Sequence, residues 1–212
     1  MTHLSDIVPV EADGGAVWND CIRIYEEAFP EWEREPERVL VMRVKQGRYK
    51  IYAGMIQGRA VGFYILDIED EGQIYALFSY IAVDVRERGK GYGTELTRHA
   101  FEIFSGLPGR RWMLIEAEKR QAELYGRLGF LKIDVDYLVP RYDGSGSEAM
   151  SLMAVPSDRS ALSIESAELR QIVERIYRSG YKLNADDPRL EEQLALIPAG
   201  EIRLMAWPPK TA

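Results

Sequence analysis

The chain reads as a mixed α/β domain carrying a small, mainly helical C-terminal extension. Three observations predict this. Over residues 1–156 the apolar positions switch repeatedly between helical and strand periods. Two strand-like runs, Tyr49 to Ile56 and Ala60 to Glu69, flank a Gln57-Gly58 turn and read as a hairpin. After Pro156-Ser-Asp-Arg-Ser160 the pattern changes to paired amphipathic helices. The 212 residues suit one large domain, or a domain with a small appendage. With 46% apolar and 29% charged residues, the composition excludes a disordered, collagen-like or disulfide-stapled chain.

The elements follow in order. Val17, Ile22, Ile24, Tyr25 and Phe29 fall roughly at helical spacing, so Ala16 to Phe29 is expected as a helix that Pro30 stops. Glu31 to Arg38 is charged, contains Pro36 and reads as a turn into a second helix, Arg38 to Val44, closed by Gln46-Gly47. The hairpin comes next, rich in aromatic and branched residues. Gln73 to Val85 is one long apolar run, the mark of a strand covered on both faces. In the helix that follows, Leu96, Ala100, Ile103 and Phe104 repeat at helical spacing, and Gly106 to Gly109 breaks it. Arg111 to Glu118 is a strand, and Gln121 to Leu128 a short helix ended by Gly129. Phe130 to Val139 and Ala149 to Val155 are two further strands, split by the loop Asp143 to Ser147. In the extension, Leu169, Ile172, Val173, Ile176 and Tyr177 form one apolar stripe. Asp187-Pro188 supplies an N-cap and first helical position for another helix, whose buried stripe is Leu190, Leu194 and Ile197. Glu201 to Trp207 reads as a closing strand.

Composition narrows the function classes. Lys and Arg number 27 against 34 Asp and Glu, a net charge of −7 that argues against nucleic acid or an anionic membrane as the main partner. Cys21 is the single cysteine, so an intrachain disulfide is impossible and a cytoplasmic location is expected. Its place in an amphipathic helix makes it a small core residue. The polar start Met1 to Asp6 lacks the basic and apolar regions of a secretory signal, and no apolar run is long enough to span a membrane. His3 and His99 lie far apart, so no metal site is expected.

Chemistry concentrates in Arg86-Glu-Arg-Gly-Lys-Gly-Tyr-Gly-Thr94, where the long apolar strand runs into a helix. Glycines let backbone approach an anion closely, successive N–H groups point at it, and the helix dipole adds favourable potential. Arg88 and Lys90 add charge at the same place. The alternative is an ordinary glycine-rich turn. A Walker loop is excluded because no Gly-Lys-[Ser/Thr] stands at the right spacing. The G-x-G-x-G of Gly89, Gly91 and Gly93 also departs from the dinucleotide fingerprint.

Residues Tyr80 to Leu96, with their apolar strand and Arg-x-x-Gly-x-Gly, resemble motif A of the GNAT superfamily of acyl-CoA-dependent N-acyltransferases. Ala122-Glu-Leu-Tyr-Gly-Arg-Leu-Gly-Phe130 resembles motif B, in the family's order and with a strand between. The resemblance covers about residues 6–156 and leaves 157–212 outside. It implies an acyltransferase domain over 1–156, with a central, mostly antiparallel sheet flanked by helices; residues 157–212, too small a piece to be stable alone, are expected as an extension packed on it. It implies that pantetheine pairs with the backbone of Ile81, Ala82 and Val83 at a strand bulge, where a backbone N–H can also face the oxyanion. The pyrophosphate would rest on the amides of Arg88, Gly89, Lys90, Gly91, Gly93 and Thr94. Tyr125 matches the family's tyrosine near the thioester sulfur. Where many relatives carry a cofactor-contacting Asn after the fifth strand, this chain has Glu118-Lys-Arg-Gln121. Lys119 or Arg120 is the candidate replacement contact there.

The implied activity is transfer of an acyl group, in the first instance acetyl from acetyl-CoA, to a primary amine. Such an amine, with a pKa of about 10.4, is mostly protonated at neutral pH and needs a base. Glu116 is favoured, with Glu118 second, because positions two apart on the strand Met113 to Glu118 share a face. Tyr125 is the candidate acid for the CoA thiolate. Each has a plain alternative: a solvated strand end for either glutamate, core packing for Tyr125. Glu31 and Glu33 are candidates for recognising a cationic acceptor. Ser79 and Tyr80 either line the acceptor site or pack. Trp32, Trp112 and Trp207 are expected to pack, and His99 to be exposed without a role. Rival functions are transfer of a longer, fatty acyl group to a peptide or metabolite amine, and a non-catalytic acyl-CoA-binding sensor. The extension is either a structural addition or a lid, and a homodimer contact stays open.

Overall fold

The computed structural model describes residues 3–68 and 72–209 and divides the chain into two compact units, the first ending at Arg110 and the second beginning at Arg111. The first contains β1 (Asp6–Val10), α1 (Ala16–Ala28), α2 (Glu37–Lys45), β2 (Tyr49–Ile56), β3 (Arg59–Asp67), β4 (Tyr75–Val83) and α3 (Tyr92–Ser105). Its four strands lie in sequence order, each antiparallel to the next. Sequence reasoning did not name β1, whose five residues carry one buried side chain, Val10. The expected end of the third strand at Glu69 lies outside the described residues.

Alternation sorts this sheet's faces. On one, Trp18, Cys21, Ile24 and Tyr25 of α1 join Leu40 of α2 with Tyr49, Ile51, Phe63, Ile65 and Tyr80 of the strands in a single apolar core. Residues of opposite parity face the other way, where Tyr64 meets His99 of α3 through a 2.7 Å hydrogen bond. His99 is half-buried, not exposed as expected, and its burial lowers the imidazole's pKa. Cys21 sits in the core as expected, its thiol pushed up to about 12 by burial.

Under α2 lies a buried group of charges. Arg43 stands 2.5 Å from Glu35 and 2.5 Å from the Tyr49 hydroxyl, and Arg48 grips Asp67 at 2.5 and 2.9 Å. Tyr49 in turn donates to Glu35 at 2.6 Å.

The second unit contains β5 (Trp112–Ala117), α4 (Lys119–Leu128), β6 (Leu131–Ile133), β7 (Tyr137–Pro140) and β8 (Ser147–Pro156). β9 (Ser163–Glu165), α5 (Ser166–Arg175), α6 (Pro188–Ala195) and β10 (Glu201–Ala206) complete it. Its strands run in the order β5-β8-β6-β10-β9, and β7 pairs with the first half of β8. Every pairing within either unit is antiparallel. The mixed α/β fold with a mostly antiparallel sheet and flanking helices is the one the sequence predicts.

Phe130 to Val139, expected as one strand, is two. At Asp134 the backbone leaves β8 and donates instead to Arg203 of β10, and Val135 turns back on Ile133. The break frees β7 to form a hairpin with β8 around Asp143–Ser147. Asp187 caps α6 by accepting the Arg189 N–H at 3.0 Å, with Pro188 in first position, as the dipeptide predicts. The expected stripe of α6 is displaced: Leu194 is half-buried, while the polar Gln193 is wholly buried.

Residues 157–209 are built into this unit. β10 pairs with β6, and the Trp112 indole donates to Glu168 of α5 at 2.8 Å. The Trp207 carbonyl presses against Gly126 of α4, so closely that a Cβ at residue 126 would collide with it. Helix propensity alone favours Gly126→Ala by ~1 kcal/mol. The contact reverses the sign, and Gly126→Ala is expected to lower the urea midpoint, because the clash is with backbone that cannot swing aside. A raised midpoint would show that Trp207 does not stay against α4.

Candidate active site

Two places in the molecule carry the chemistry. The first follows β4. Opposite β3 the register slips by one residue at Ser79, between the pairs Ile65–Tyr80 and Leu66–Phe78. The bulge therefore stands just before Ile81, Ala82 and Val83, which pair with Tyr64, Phe63 and Gly62. Tyr80 packs: it is buried, its ring lies edge-on to Tyr25 and Phe29, and its hydroxyl donates to the Glu33 carbonyl at 2.9 Å.

Beyond β4, Asp84 fixes the loop. Its carboxylate accepts the Arg86 N–H at 3.0 Å and the Arg23 guanidinium at 2.8 Å. Burial pushes this carboxyl up, but the Arg86 amide and Arg23 outweigh it and hold it below the ordinary value. Gly89 and Gly91 then take left-handed φ of 81° and 93°, a conformation that favours glycine. Thr94 donates its N–H to Gly91 within the first turn of α3. Among the described residues, the N–H groups of Gly91 and Gly93 meet no backbone acceptor, while those of Arg88 and Lys90 close the tight turns that precede α3. Free amides in a short exposed glycine loop at a helix start are the kind of backbone donors a phosphate accepts from. Thr94, expected among them, has its amide engaged. The side-chain charges are partly committed: Arg88 Nε donates to the Val83 carbonyl at 3.2 Å, and Lys90 pairs with Glu87 at 2.6 Å.

In the second unit the two candidate glutamates part company. Glu118 is exposed at the N-cap of α4, where its side chain makes no capping bond, and Lys119 and Arg120 follow it, also exposed. Glu116 is half-buried within β5 and is gripped by two phenols. Tyr137 of β7 donates to one carboxylate oxygen at 2.6 Å, and Tyr181 donates to the other at 2.6 Å. Burial raises the Glu116 carboxyl above its ordinary value, and the two phenols, which favour the ionised form, only partly offset this. Tyr181 is itself pushed well above the ordinary phenol range, by burial first and then by the nearby Glu116 charge, so it remains a donor.

Tyr125 lies in α4, buried, with its ring edge-on to Phe130 at 5.7 Å. Glu31 and Glu33 occupy a 3-10 turn, Glu31–Glu33. Glu31 joins Glu26, Glu35, Glu37 and Arg34 around a cavity of about 230 Å³, and Glu33 is not among its lining residues. Among the described residues no group of three or more potential metal ligands occurs. None of their helices is long and apolar enough to cross a membrane.

Sequence reasoning missed Tyr137 and Tyr181. Tyr137 is one aromatic among several in a strand pattern, and Tyr181 stands at the end of a helix 65 residues from its partner. The only available signal was the recurrence of tyrosine at 137, 142, 177 and 181.

A family model described as the acetyltransferase (GNAT) family matches residues 18–130, more than half of the chain. The chain belongs to this family. Solved structures agree on the fold. A GNAT-family protein from Bacteroides thetaiotaomicron superposes with a TM-score of 0.70 at 20% identity, covering 84% of this chain and 99% of that one. The ribosomal-protein-S18-alanine N-acetyltransferase from Escherichia coli gives 0.54 at 24% identity, over 74% and 96%. An aminoglycoside 6'-N-acetyltransferase complexed with coenzyme A gives 0.57 at 14% identity, over 72% and 97%. No curated protein matches the chain in sequence. The GNAT match spans the glycine loop and all of α4 but ends before Tyr137 and Tyr181.

The raised Glu116 carboxyl has a consequence for stability. Between the ordinary and the raised value the folded chain holds a proton that the unfolded chain has lost. Stability from this group is therefore fully present below the ordinary carboxyl value and declines as pH rises through the raised one. Glu116→Gln removes that decline. Urea midpoints of the two proteins, compared from about pH 4 to 8, are expected to move in favour of Gln as pH rises. A difference independent of pH would show that the carboxyl is not raised.

Proposed function

We propose that this chain transfers an acyl group, most simply acetyl, from CoA to a primary amine. The observation that carries the reading is the exposed glycine loop at the start of α3, with left-handed Gly89 and Gly91 and the free amides of Gly91 and Gly93, in a GNAT-family domain. A phosphate-bearing ligand satisfies those amides, and coenzyme A in the complex of the related aminoglycoside acetyltransferase is such a ligand. The bound thioester supplies the acyl group. In this reading residues 1–156 are the acyltransferase domain and 157–212 its extension. A cytoplasmic location suits the single, buried thiol.

The residue roles follow from chemistry. The backbone of Ile81, Ala82 and Val83 binds the pantetheine arm, and the free amides of Gly91 and Gly93 hold the pyrophosphate. Glu116 takes a proton from the amine, directly or through water, leaving a lone pair free to form the N–C bond. A carboxyl raised by burial suits that task, because a more basic carboxylate is a better proton acceptor. Glu118, exposed at the N-cap of α4, stays the second candidate. Tyr125 gives its proton to the sulfur as the C–S bond breaks.

Two outcomes are expected. Acetyl-CoA at about 100 times its Kd stabilises the fold by roughly 2.7 kcal/mol, seen as a rise in Tm. Gly91→Ala, which forces a side chain into left-handed backbone, greatly reduces that rise. An unmoved Tm with CoA, acetyl-CoA and longer acyl-CoAs alike would end the reading. Tyr125→Phe lowers turnover on an amine panel by about tenfold or more with little change in CoA affinity. Unchanged turnover would remove Tyr125 as the acid.

A further inference from the structure

The partners of Glu116 come from two sources. Tyr137 belongs to the β7–β8 hairpin, and Tyr181 to the C-terminal extension. The extension reaches Tyr137 as well. Gln193 of α6, wholly buried, accepts the Leu138 N–H at 2.7 Å and donates to the Asp136 carbonyl at 3.1 Å. Tyr177 donates to the Leu138 carbonyl. The two backbone neighbours of Tyr137 are thus held by extension side chains. After α5 the chain winds into a π-turn, Ile176–Gly180, and the Tyr181 N–H closes on the Ile176 carbonyl at 3.2 Å. Such a turn inserts a residue into the helical repeat and re-aims the side chain that follows. The Tyr181 ring is braced by Tyr142 at 5.0 Å and Tyr177 at 6.0 Å.

We propose that the C-terminal extension governs the Glu116 carboxylate, with Tyr181 as a positioning residue that holds one oxygen directly and Gln193 and Tyr177 fixing the strand that presents Tyr137. The catalytic part of this rests on Glu116 being the base. Each phenol leaves its carboxylate oxygen a further lone pair, so the carboxylate can still accept a proton while its rotation is locked. The extension thereby sets both the direction of the base and the pH at which it works. The groups acting on it are the phenols of Tyr137 and Tyr181, with Tyr177 adjacent and Tyr142 behind Tyr181. Arg189 and Glu192 act on Tyr177 with opposite sign.

The test uses the full chain with ¹³C-labelled glutamate, the Glu116 carboxyl resonance being the one lost in Glu116→Gln. In Tyr181→Phe the carboxyl loses a donor that favoured its ionised form, so its titration midpoint is expected to rise by about one pH unit. The acid limb of kcat/KM for acyl transfer from acetyl-CoA to an accepted amine moves up by the same amount. Loss of packing alone would lower Tm without moving either midpoint. In the wild-type chain, independently of any variant, the Tyr181 hydroxyl proton is expected to resist exchange and to change its shift as Glu116 titrates. Unmoved midpoints, or a Tyr181 hydroxyl insensitive to Glu116, overturn the inference. The two readings fail separately. If Glu116→Gln abolishes transfer and Tyr181→Phe moves nothing, the base stands and the extension's role falls. If Glu116→Gln leaves transfer intact, the base falls and with it the catalytic part of the proposal, whatever the carboxyl titration shows.

Discussion

A carboxylate placed inside a strand with no cation beside it must find neutral donors, and in the second unit much else follows from how Glu116 finds them. β5 supplies the acid but no hydroxyl near it. One donor comes from β7, and β7 exists as a separate strand only because the chain breaks away at Asp134. The other comes from beyond α5, where a regular helix would continue but a π-turn stands. The wholly buried Gln193 fits the same logic. The N–H and C=O that flank Tyr137 need partners once covered, and a primary amide offers both a donor and an acceptor. An apolar side chain at 193 would take away the partner of both backbone groups.

The cradle before α3 solves the opposite problem. There the backbone carries donors with no acceptor, and a structure tolerates this only where water or a ligand reaches them. Asp84 makes the arrangement rigid by capping the turn and receiving Arg23 of α1. The left-handed residues Gly89 and Gly91 let the chain double back before the helix begins. Basic side chains matter less than their number implies, since Lys90 is drawn to Glu87 and Arg88 reaches back to Val83. In the proposed reading, recognition of the anion falls chiefly to the main chain.

Much of this was legible in the sequence where the signal was local. The glycine run, the hairpin, the α5 stripe, the Asp187-Pro188 cap and the burial of Cys21 each depend on residues a few positions apart, and each is found as read. What escaped depends on distant partners. β1 is short and half-exposed, so its pattern is weak until β2 lies beside it. The break at Asp134 is set by Arg203, nearly seventy positions on. The α5 stripe predicts which residues are buried but not that Ile176 and Tyr177 enter a π-turn, because both windings bury them. Gln193 was passed over because a polar residue beside an apolar stripe ordinarily faces water. The parity rule that placed Glu116 and Glu118 on one face held only until the strand ended at Ala117.

Glu35 offers the instructive contrast. It too is buried, and a tyrosine also donates to it, at 2.6 Å, yet its main partner is the Arg43 guanidinium at 2.5 Å. Glu35 and Asp67 balance Arg43 and Arg48 in one buried cluster. Burial raises this carboxyl too, but the Arg43 charge and the Tyr49 hydroxyl oppose the shift, and a proton on Glu35 would leave the cluster with a net positive charge away from water. Glu116 is under no such constraint. Its two partners are neutral in either state and its own charge is the one burial disfavours, so gaining a proton relieves a cost instead of creating one. A strongly bound, ion-paired glutamate suits architecture. A glutamate held in place by phenols alone can take up and release a proton without disturbing what holds it, and that is the property a general base requires.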